Sequence, residues 1–125
     1  MQILFTTSEE FGNSVGLNFF NGNVKKIPEG NKNNKRKVPI IGWNSINVVK
    51  NNKFFEDINY ESNFYFTHSY YVDPENKDLI TTTSNYFGFE YCSSICKDNI
   101  FATQFHPEKS SKTGLKMYKN FRNVC

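Results

Sequence analysis

The chain has 125 residues, a formal net charge of +3 and 22% charged residues, so it fits one ordinary globular domain. No apolar run reaches the ~20 residues that a membrane-spanning helix needs, and the segment Met1–Phe5 lacks the basic lead of a signal peptide. Its three cysteines have no framework spacing, which favours reduced thiols. We therefore expect a cytoplasmic protein that binds no membrane. No metal and no other cofactor is expected either.

The predicted elements place strands in the middle of the chain and helices at both ends. Residues 1–10 predict a short helix, and Asn21-Gly22 predicts a hairpin turn between the apolar segments 17–20 and 24–27. Residues 28–37 predict a polar loop. Alternating or apolar runs then predict strands at 38–43, 46–49, 63–72, 78–83, 87–93 and 99–106. Apolar residues at spacings of three and four predict an amphipathic helix over 113–124, so the class is α/β or α+β.

The most informative segment is Gln104–Ser110. His106 and Glu108 lie two residues apart, so in an extended chain their side chains share one face, about 7 Å apart along the backbone. Pro107 between them cannot donate to a sheet, which predicts that the pair lies where a strand ends. A glutamate that accepts a hydrogen bond from a histidine is the base-and-orienter half of a catalytic triad. The alternative is a salt bridge at a strand end.

Four segments resemble a known family. They are Met1–Glu10, Val38-Pro39-Ile40-Ile41-Gly42-Trp43-Asn44, Tyr65-Phe66-Thr67-His68-Ser69-Tyr70-Tyr71-Val72 and Asn99–Ser110. In this order they resemble the class I glutamine amidotransferases and, more narrowly, the glutaminase subunit of imidazole glycerol phosphate synthase from histidine biosynthesis. The resemblance covers essentially every residue. It implies an α/β, flavodoxin-like fold with a central mixed sheet and flanking helices, present here as a single partial domain over residues 1–125.

The resemblance also implies roles for individual residues. His106 would be the general base and acid, and Glu108 would orient it and stabilise its charged form. The polar groups of the substrate glutamine would be held by two side chains and by the backbone of one strand, at Gln2, Glu10, Ser69 and Tyr70. A (β/α)₈ cyclase partner that receives the ammonia in a heterodimer would face Trp43, Asn44, Tyr65 and Lys109.

The nucleophile of the family is a cysteine in a Gly-x-Cys-x-Gly turn, where a helix N-terminus lowers the thiol pKa. We expect this turn and the strands before it to lie upstream of Met1, so that the chain is a truncated or mis-started subunit. Cys92, Cys96 and Cys125 have no such glycine-flanked turn and are expected to be inert thiols, with no metal half-site. We therefore predict that the chain alone has no glutaminase activity, because losing a triad member costs several orders of magnitude in rate.

Two other functions stay open. The chain could be a non-catalytic remnant that only docks on the synthase partner, or its subunit could supply ammonia to a sugar-modifying amidotransferase in surface polysaccharide synthesis. His68 is interpreted as a hydrogen-bonded strand histidine. The basic loop residues Lys32, Lys35, Arg36 and Lys37 are interpreted as a solvated loop or a contact with the partner, and not as a nucleic-acid site.

Overall fold

A computed structural model describes residues 1–59 and 62–124. Within these residues there is one α-helix, α1 (Ser111–Val124), and the remaining regular structure consists of strands and short 3₁₀ helices. The strands are β1 (Phe5–Ser8), β2 (Ser14–Val15), β3 (Phe20–Lys26), β4 (Ile40–Ser45), β5 (Asn47–Val48), β6 (Asn63–His68), β7 (Tyr70–Pro74), β8 (Ile80–Tyr86), β9 (Phe89–Lys97) and β10 (Ile100–Thr103). The 3₁₀ helices are Gln2–Leu4, Lys53–Phe55, Lys77–Leu79 and Pro107–Lys109.

The strands form one large mixed sheet and one small antiparallel sheet. In the large sheet the order is β2-β1-β3-β7-β9-β8-β5, and β10 pairs with β9. The pair β1–β3 is parallel, with Phe5 opposite Phe20, and the other pairs are antiparallel. Strands β4 and β6 form the small sheet, in which Trp43 lies opposite Tyr65. The predicted α/β class with a central mixed sheet is confirmed.

Two apolar clusters hold these layers together. One is built around β6, the segment before His106 and helix α1, and its buried members include Phe64, Phe66, Phe105 and Met117. The other lies among the strands of the large sheet and includes Phe5, Val24, Val72 and Ile95. Burying each such side chain contributes about 1.5–3 kcal/mol relative to exposure. The first cluster matters for function because it fixes the end of β6 against the residue that precedes His106.

The predicted helix over residues 1–10 is wrong. A single 3₁₀ turn at Gln2–Leu4 leads directly into β1, and no side chain caps that turn. Phe5 is fully buried and pairs with Phe20, while Thr6 and Thr7 are β-branched residues that suit a strand. Long-range pairing therefore determines the structure of this segment, and α-helix is found only at the C-terminal end of the described residues.

The predicted hairpin at Asn21-Gly22 is also wrong, because both residues lie inside the continuous strand β3. Gly22 has φ +146° and sits opposite Pro74 of β7. A Cβ atom at Gly22 would lie 2.6 Å from the carbonyl oxygen of Asp73. The glycine therefore allows two strands to approach closely, which is a second common use of glycine within a sheet.

The aromatic run predicted as one strand over 63–72 is two strands in different sheets. Strand β6 ends at His68 and pairs with β4, whereas β7 begins at Tyr70 and pairs with β3 and β9. The chain changes sheets at Ser69, whose carbonyl oxygen accepts a hydrogen bond of 2.9 Å from the Ile27 backbone N–H. The predicted site residues Ser69 and Tyr70 therefore lie at a switch between the two sheets.

The other predicted elements are confirmed with shifted bounds. The strand predicted at 99–106 is limited to Ile100–Thr103, and a 3₁₀ turn at Lys77–Leu79 replaces the start of the strand predicted at 78–83. The loop over 28–37 is present, with three of its cationic side chains exposed. Arg36 is instead half-buried: its guanidinium donates to the carbonyl oxygens of Tyr86, Phe87 and Pro28 at 3.0–3.2 Å and lies over the ring of Phe89.

No helix among the described residues is long and apolar enough to cross a membrane. Over residues 1–59 and 62–124, no cluster of three or more histidine, cysteine or acidic side chains is arranged to bind a metal ion.

Candidate active site

The segment that carries His106 is anchored to the end of β6. The backbone N–H of His106 donates to the carbonyl oxygen of Tyr65 at 2.9 Å. The preceding residue, Phe105, is buried between Phe64 and Phe66, with ring centroids 4.3 and 5.8 Å away. One backbone bond and one aromatic cluster therefore determine where the imidazole lies.

The predicted pairing of His106 and Glu108 is present. His106 Nδ1 lies 2.7 Å from Glu108 Oε1. An ionised carboxylate only accepts, so Nδ1 carries the proton, and in the neutral ring Nε2 presents a free lone pair. Desolvation acts to raise the pKa of Glu108, but hydrogen bonds from its own backbone N–H and from the His106 ring outweigh it and lower this pKa below the ordinary value. Glu108 therefore stays charged and holds the His106 ring with Nε2 as its free nitrogen.

Ser110 ties the turn after His106 to the small sheet. It is fully buried, and its hydroxyl donates to the His106 carbonyl oxygen at 2.6 Å while accepting from the Tyr65 backbone N–H at 3.0 Å. Gly114 in α1 packs directly on the same turn, since a Cβ atom there would meet the Pro107 carbonyl oxygen at 1.8 Å. The sequence predicted no role for either residue, although Ser110 is the last residue of the segment that carries the pair of His106 and Glu108, called the dyad below.

A cleft of about 1040 Å³ opens in front of the dyad. This volume is near the upper end of the roughly 300–1,000 Å³ usual for ligand sites. Its walls include His106 and Glu108 together with all four residues predicted to hold the substrate, which are Gln2, Glu10, Ser69 and Tyr70. These residues come from distant parts of the sequence, so the fold assembles the predicted set in one place.

Gln2 makes the best-defined polar contacts of this set. Its Nε2 donates to the Tyr70 carbonyl oxygen at 2.8 Å and to Gln104 Oε1 at 3.1 Å. Gln104 also lines the cleft, although no role was predicted for it from the sequence. The only feature of the sequence that could have indicated a role for Gln104 is its position two residues before His106.

His68 is a hydrogen-bonded strand histidine, as interpreted from the sequence. It is 7% exposed, and its Nδ1 donates to the Tyr70 carbonyl oxygen at 2.8 Å. Burial lowers the pKa of His68 to about 4. The ring is therefore neutral at physiological pH, and its Nε2 has no hydrogen-bond partner among residues 1–59 and 62–124. His68 is a structural support for the Tyr70 carbonyl.

Neither described cysteine is placed to act as the nucleophile. Cys92 is buried in the large sheet, and burial raises the pKa of its thiol to about 12. Cys96 packs against the apolar cluster of β6 and α1. Neither of them lines the cleft. Both observations fit the prediction of inert thiols, and Cys125 lies outside the described residues.

Three of the four residues predicted to face a partner form one surface patch. Trp43 is 55% exposed and meets Tyr65 edge-to-face, with ring centroids 6.0 Å apart. The Lys109 ammonium lies 5.8 Å from the centroid of the Tyr65 ring. Asn44 differs, because its amide donates to the Ser84 hydroxyl and the Asn85 carbonyl oxygen, both at 3.0 Å. Its side chain therefore joins the two sheets.

Comparison with known proteins agrees with this arrangement. Residues 1–124 match the family described as Glutamine amidotransferase class-I. The chain belongs to this family. The dyad, the cleft and the mixed sheet described above are therefore features of a class-I glutamine amidotransferase domain.

Several curated relatives of this amidotransferase chain share one name, imidazole glycerol phosphate synthase subunit HisH. The protein from Geobacter metallireducens is 45% identical over 123 residues, which cover 97% of this chain and 58% of the relative. The protein from Pyrococcus furiosus is 47% identical over 124 residues, covering 99% and 61%, and that from Methanocaldococcus jannaschii is 48% identical over 121 residues, covering 97% and 58%. The chain thus spans about three-fifths of the length of these relatives.

A solved structure supports the fold. A protein from Thermoplasma acidophilum, described as part of a GMP synthase, superposes with a TM-score of 0.63 at 21% sequence identity. The superposition covers 83% of this chain and 48% of the solved chain. At this level of identity the likeness concerns the fold, and it agrees with the flavodoxin-like architecture expected for the family.

Proposed function

We propose that this chain carries the general base and the glutamine-binding residues of a glutaminase that supplies ammonia to an imidazole glycerol phosphate synthase. The single observation that carries the proposal is the 2.7 Å pairing of His106 Nδ1 with Glu108 in a cleft lined by Gln2, Glu10, Ser69 and Tyr70. The identity of 45–48% to synthase subunits from three organisms supports the choice of partner enzyme.

In the proposed reaction His106 Nε2 removes the proton of a cysteine thiol, and the resulting thiolate attacks the side-chain amide carbon of glutamine. His106 donates a proton from Nε2 to the departing nitrogen, so that ammonia leaves and a thioester remains. His106 then removes a proton from water, which attacks the thioester and releases glutamate and the thiol. Glu108 stabilises the ring while it is positively charged, because its carboxylate already accepts the Nδ1 hydrogen bond.

The thiol comes, in this proposal, from a Gly-x-Cys-x-Gly turn outside residues 1–125. What supports this is the position of the two described cysteines, neither of which lines the cleft. The chain alone is therefore proposed to be inactive toward glutamine.

The partner is proposed to be a (β/α)₈ cyclase that forms a heterodimer with this domain in the cytoplasm. The patch of Trp43, Tyr65 and Lys109 is the proposed contact. It offers two aromatic rings on the strand pair β4–β6 and one cation beside them. The backbone of Tyr65 also binds His106, so a partner on this patch would lie next to the dyad, where ammonia is released.

One specific observation favours a second candidate, a non-catalytic chain that only docks on the synthase. The patch is complete within the described residues, whereas none of the cysteines among them lies in the cleft. A sugar-modifying partner would need the same glutaminase chemistry, and the acceptor would lie on that partner.

The experiment begins with the nucleotides that precede the Met1 codon. An in-frame Gly-x-Cys-x-Gly sequence supports the enzyme, and stop codons or frameshifts favour the docking remnant. The extended product is then assembled with the cyclase, and glutamate release from L-glutamine is measured with and without the substitution Glu108→Gln. A rate unchanged by Glu108→Gln would contradict the proposed role of the dyad.

A further inference from the structure

The carbonyl oxygen of Tyr70 determines how the amide of Gln2 is oriented. It accepts two hydrogen bonds of 2.8 Å, one from His68 Nδ1 and one from Gln2 Nε2. A carbonyl oxygen can only accept, so the nitrogen end of the Gln2 amide must face it. Turning this amide by 180° would place two acceptors against each other with no proton between them. The orientation of Gln2 therefore follows from the backbone of Tyr70.

The orientation of Gln104 follows in turn. The second proton of Gln2 Nε2 points to the Gln104 side chain at 3.1 Å, so Gln104 must present its oxygen. Gln104 is itself fixed, because its backbone N–H donates to the Ser93 carbonyl oxygen at 2.8 Å. Both protons of Gln2 Nε2 are then used. Among residues 1–59 and 62–124, Gln2 Oε1 accepts no hydrogen bond, and Gln2 lies in the cleft wall with His106.

We propose that Gln104 is a positioning residue, which fixes the Gln2 amide so that its oxygen accepts an N–H group of the bound amino acid. The inference deepens the proposed function and rests on glutamine as the ligand. An α-ammonium or a side-chain amide supplies the required donor, whereas a carboxylate does not. Without Gln104, Gln2 keeps only the bond to Tyr70, and its amide can rotate about that contact. Binding then costs the conformational entropy of ordering the side chain.

The first test uses the fact that Gln2 and Gln104 are the only two glutamines in the sequence. When nitrogen-15 is introduced only at glutamine, their side-chain amide signals are therefore free of overlap with the asparagine amides in a nuclear magnetic resonance spectrum of the 125-residue chain. We expect the Gln2 amide protons to exchange slowly with water and those of Gln104 to exchange quickly. Gln104→Leu should speed the exchange of Gln2 by about fivefold, which is the loss of one hydrogen bond of roughly 1 kcal/mol. Gln104→Glu keeps an acceptor and should preserve the slow exchange.

The second test titrates L-glutamine into the same three proteins and follows the same signals. Gln104→Leu should weaken the Kd about fivefold, whereas Gln104→Glu should stay within about twofold of the unmodified chain. Equal exchange of the two glutamines, or a Gln104→Leu variant that binds as tightly as the parent, would overturn the proposal. Equal losses in both variants would overturn it too, since they would indicate direct contact through the Gln104 nitrogen. If slow exchange is lost on Gln104→Leu but the parent binds no L-glutamine, the positioning geometry stands and the proposed substrate fails.

Discussion

Replacing Gly114 with alanine should destabilise the protein and disturb the His106–Glu108 pair. Gly114 lies in the first turns of α1, against the 3₁₀ turn Pro107–Lys109. An added Cβ would sit 1.8 Å from the Pro107 carbonyl oxygen, roughly 1.6 Å short of ordinary contact. The obstacle is a backbone atom, so no side-chain rotation relieves it. The helix or the turn that carries Glu108 must move.

Two effects of opposite sign decide the size of the change. Alanine is about 1 kcal/mol better than glycine in a helix interior, which alone would stabilise the variant. Overpacking in a well-packed region costs about 1–3 kcal/mol, and the contact with Pro107 is severe enough for the upper end of that range. We therefore expect a net loss of about 2 kcal/mol in the free energy of unfolding.

Urea unfolding followed by circular dichroism measures this change, and Lys119→Ala on the exposed face of α1 provides the matched control. The control should stay within about 0.5 kcal/mol of the parent. A Gly114→Ala variant as stable as the parent or more stable would refute the reasoning, because helix propensity would then outweigh the contact with Pro107.

Three further predictions concern the buried residues Ser110, His68 and Cys92. Ser110→Ala should lower the free energy of unfolding by about 2 kcal/mol in urea titrations, because it leaves the Tyr65 N–H unpaired in the interior and removes one of the two hydrogen bonds that the His106 carbonyl oxygen accepts, the other coming from the Lys109 N–H. A loss no larger than that of exposed Lys112→Ala would contradict this. The pKa of His68 is about 4 in the folded chain and 6.5 ordinarily, so the unfolded chain takes up the proton first as the pH is lowered. The free energy of unfolding should therefore fall by at most about 3 kcal/mol between about pH 6.5 and about pH 4. Unfolding titrations at about pH 7 and about pH 4.5 should show a smaller fall for His68→Gln, and an equal fall in both proteins would contradict it. The thiol of Cys92 has a pKa of about 12, so in the folded chain it should react with a thiol reagent at about pH 8 far more slowly than the thiol of Cys96. Mass spectrometry of the labelled peptides measures both rates, and equal labelling rates for the two cysteines would argue against the burial of Cys92.

The sequence predicted those parts of the site that depend on local geometry. His106 and Glu108 are two residues apart, and the proline between them ends the extended segment, so their contact needs little from the rest of the fold. The role that we propose for Gln104 could not be predicted in this way. It depends on a bond to Gln2 across 102 positions of sequence and on the Tyr70 carbonyl at the switch between sheets.

The errors in the predicted fold have the same origin. Phe5 is buried because it pairs with Phe20, and Gly22 lies within a strand because β7 approaches it closely. Both facts arise from pairing between distant strands, whereas helix periodicity and turn propensity describe only neighbouring residues. The helix α1 was predicted well because its apolar spacing is local and its buried face packs on the cluster around β6.

The central claim is that His106 and Glu108 perform the acid–base half of glutamine hydrolysis with a thiol from outside residues 1–125. Its most direct test is the rate of glutamate release from L-glutamine by the chain assembled with a Gly-x-Cys-x-Gly-bearing segment and the cyclase partner. The predicted result is release that falls by about a thousandfold or more on His106→Ala, and no release above background from the chain alone. Equal rates for the assembly with and without His106→Ala, or hydrolysis by the isolated chain, would contradict it.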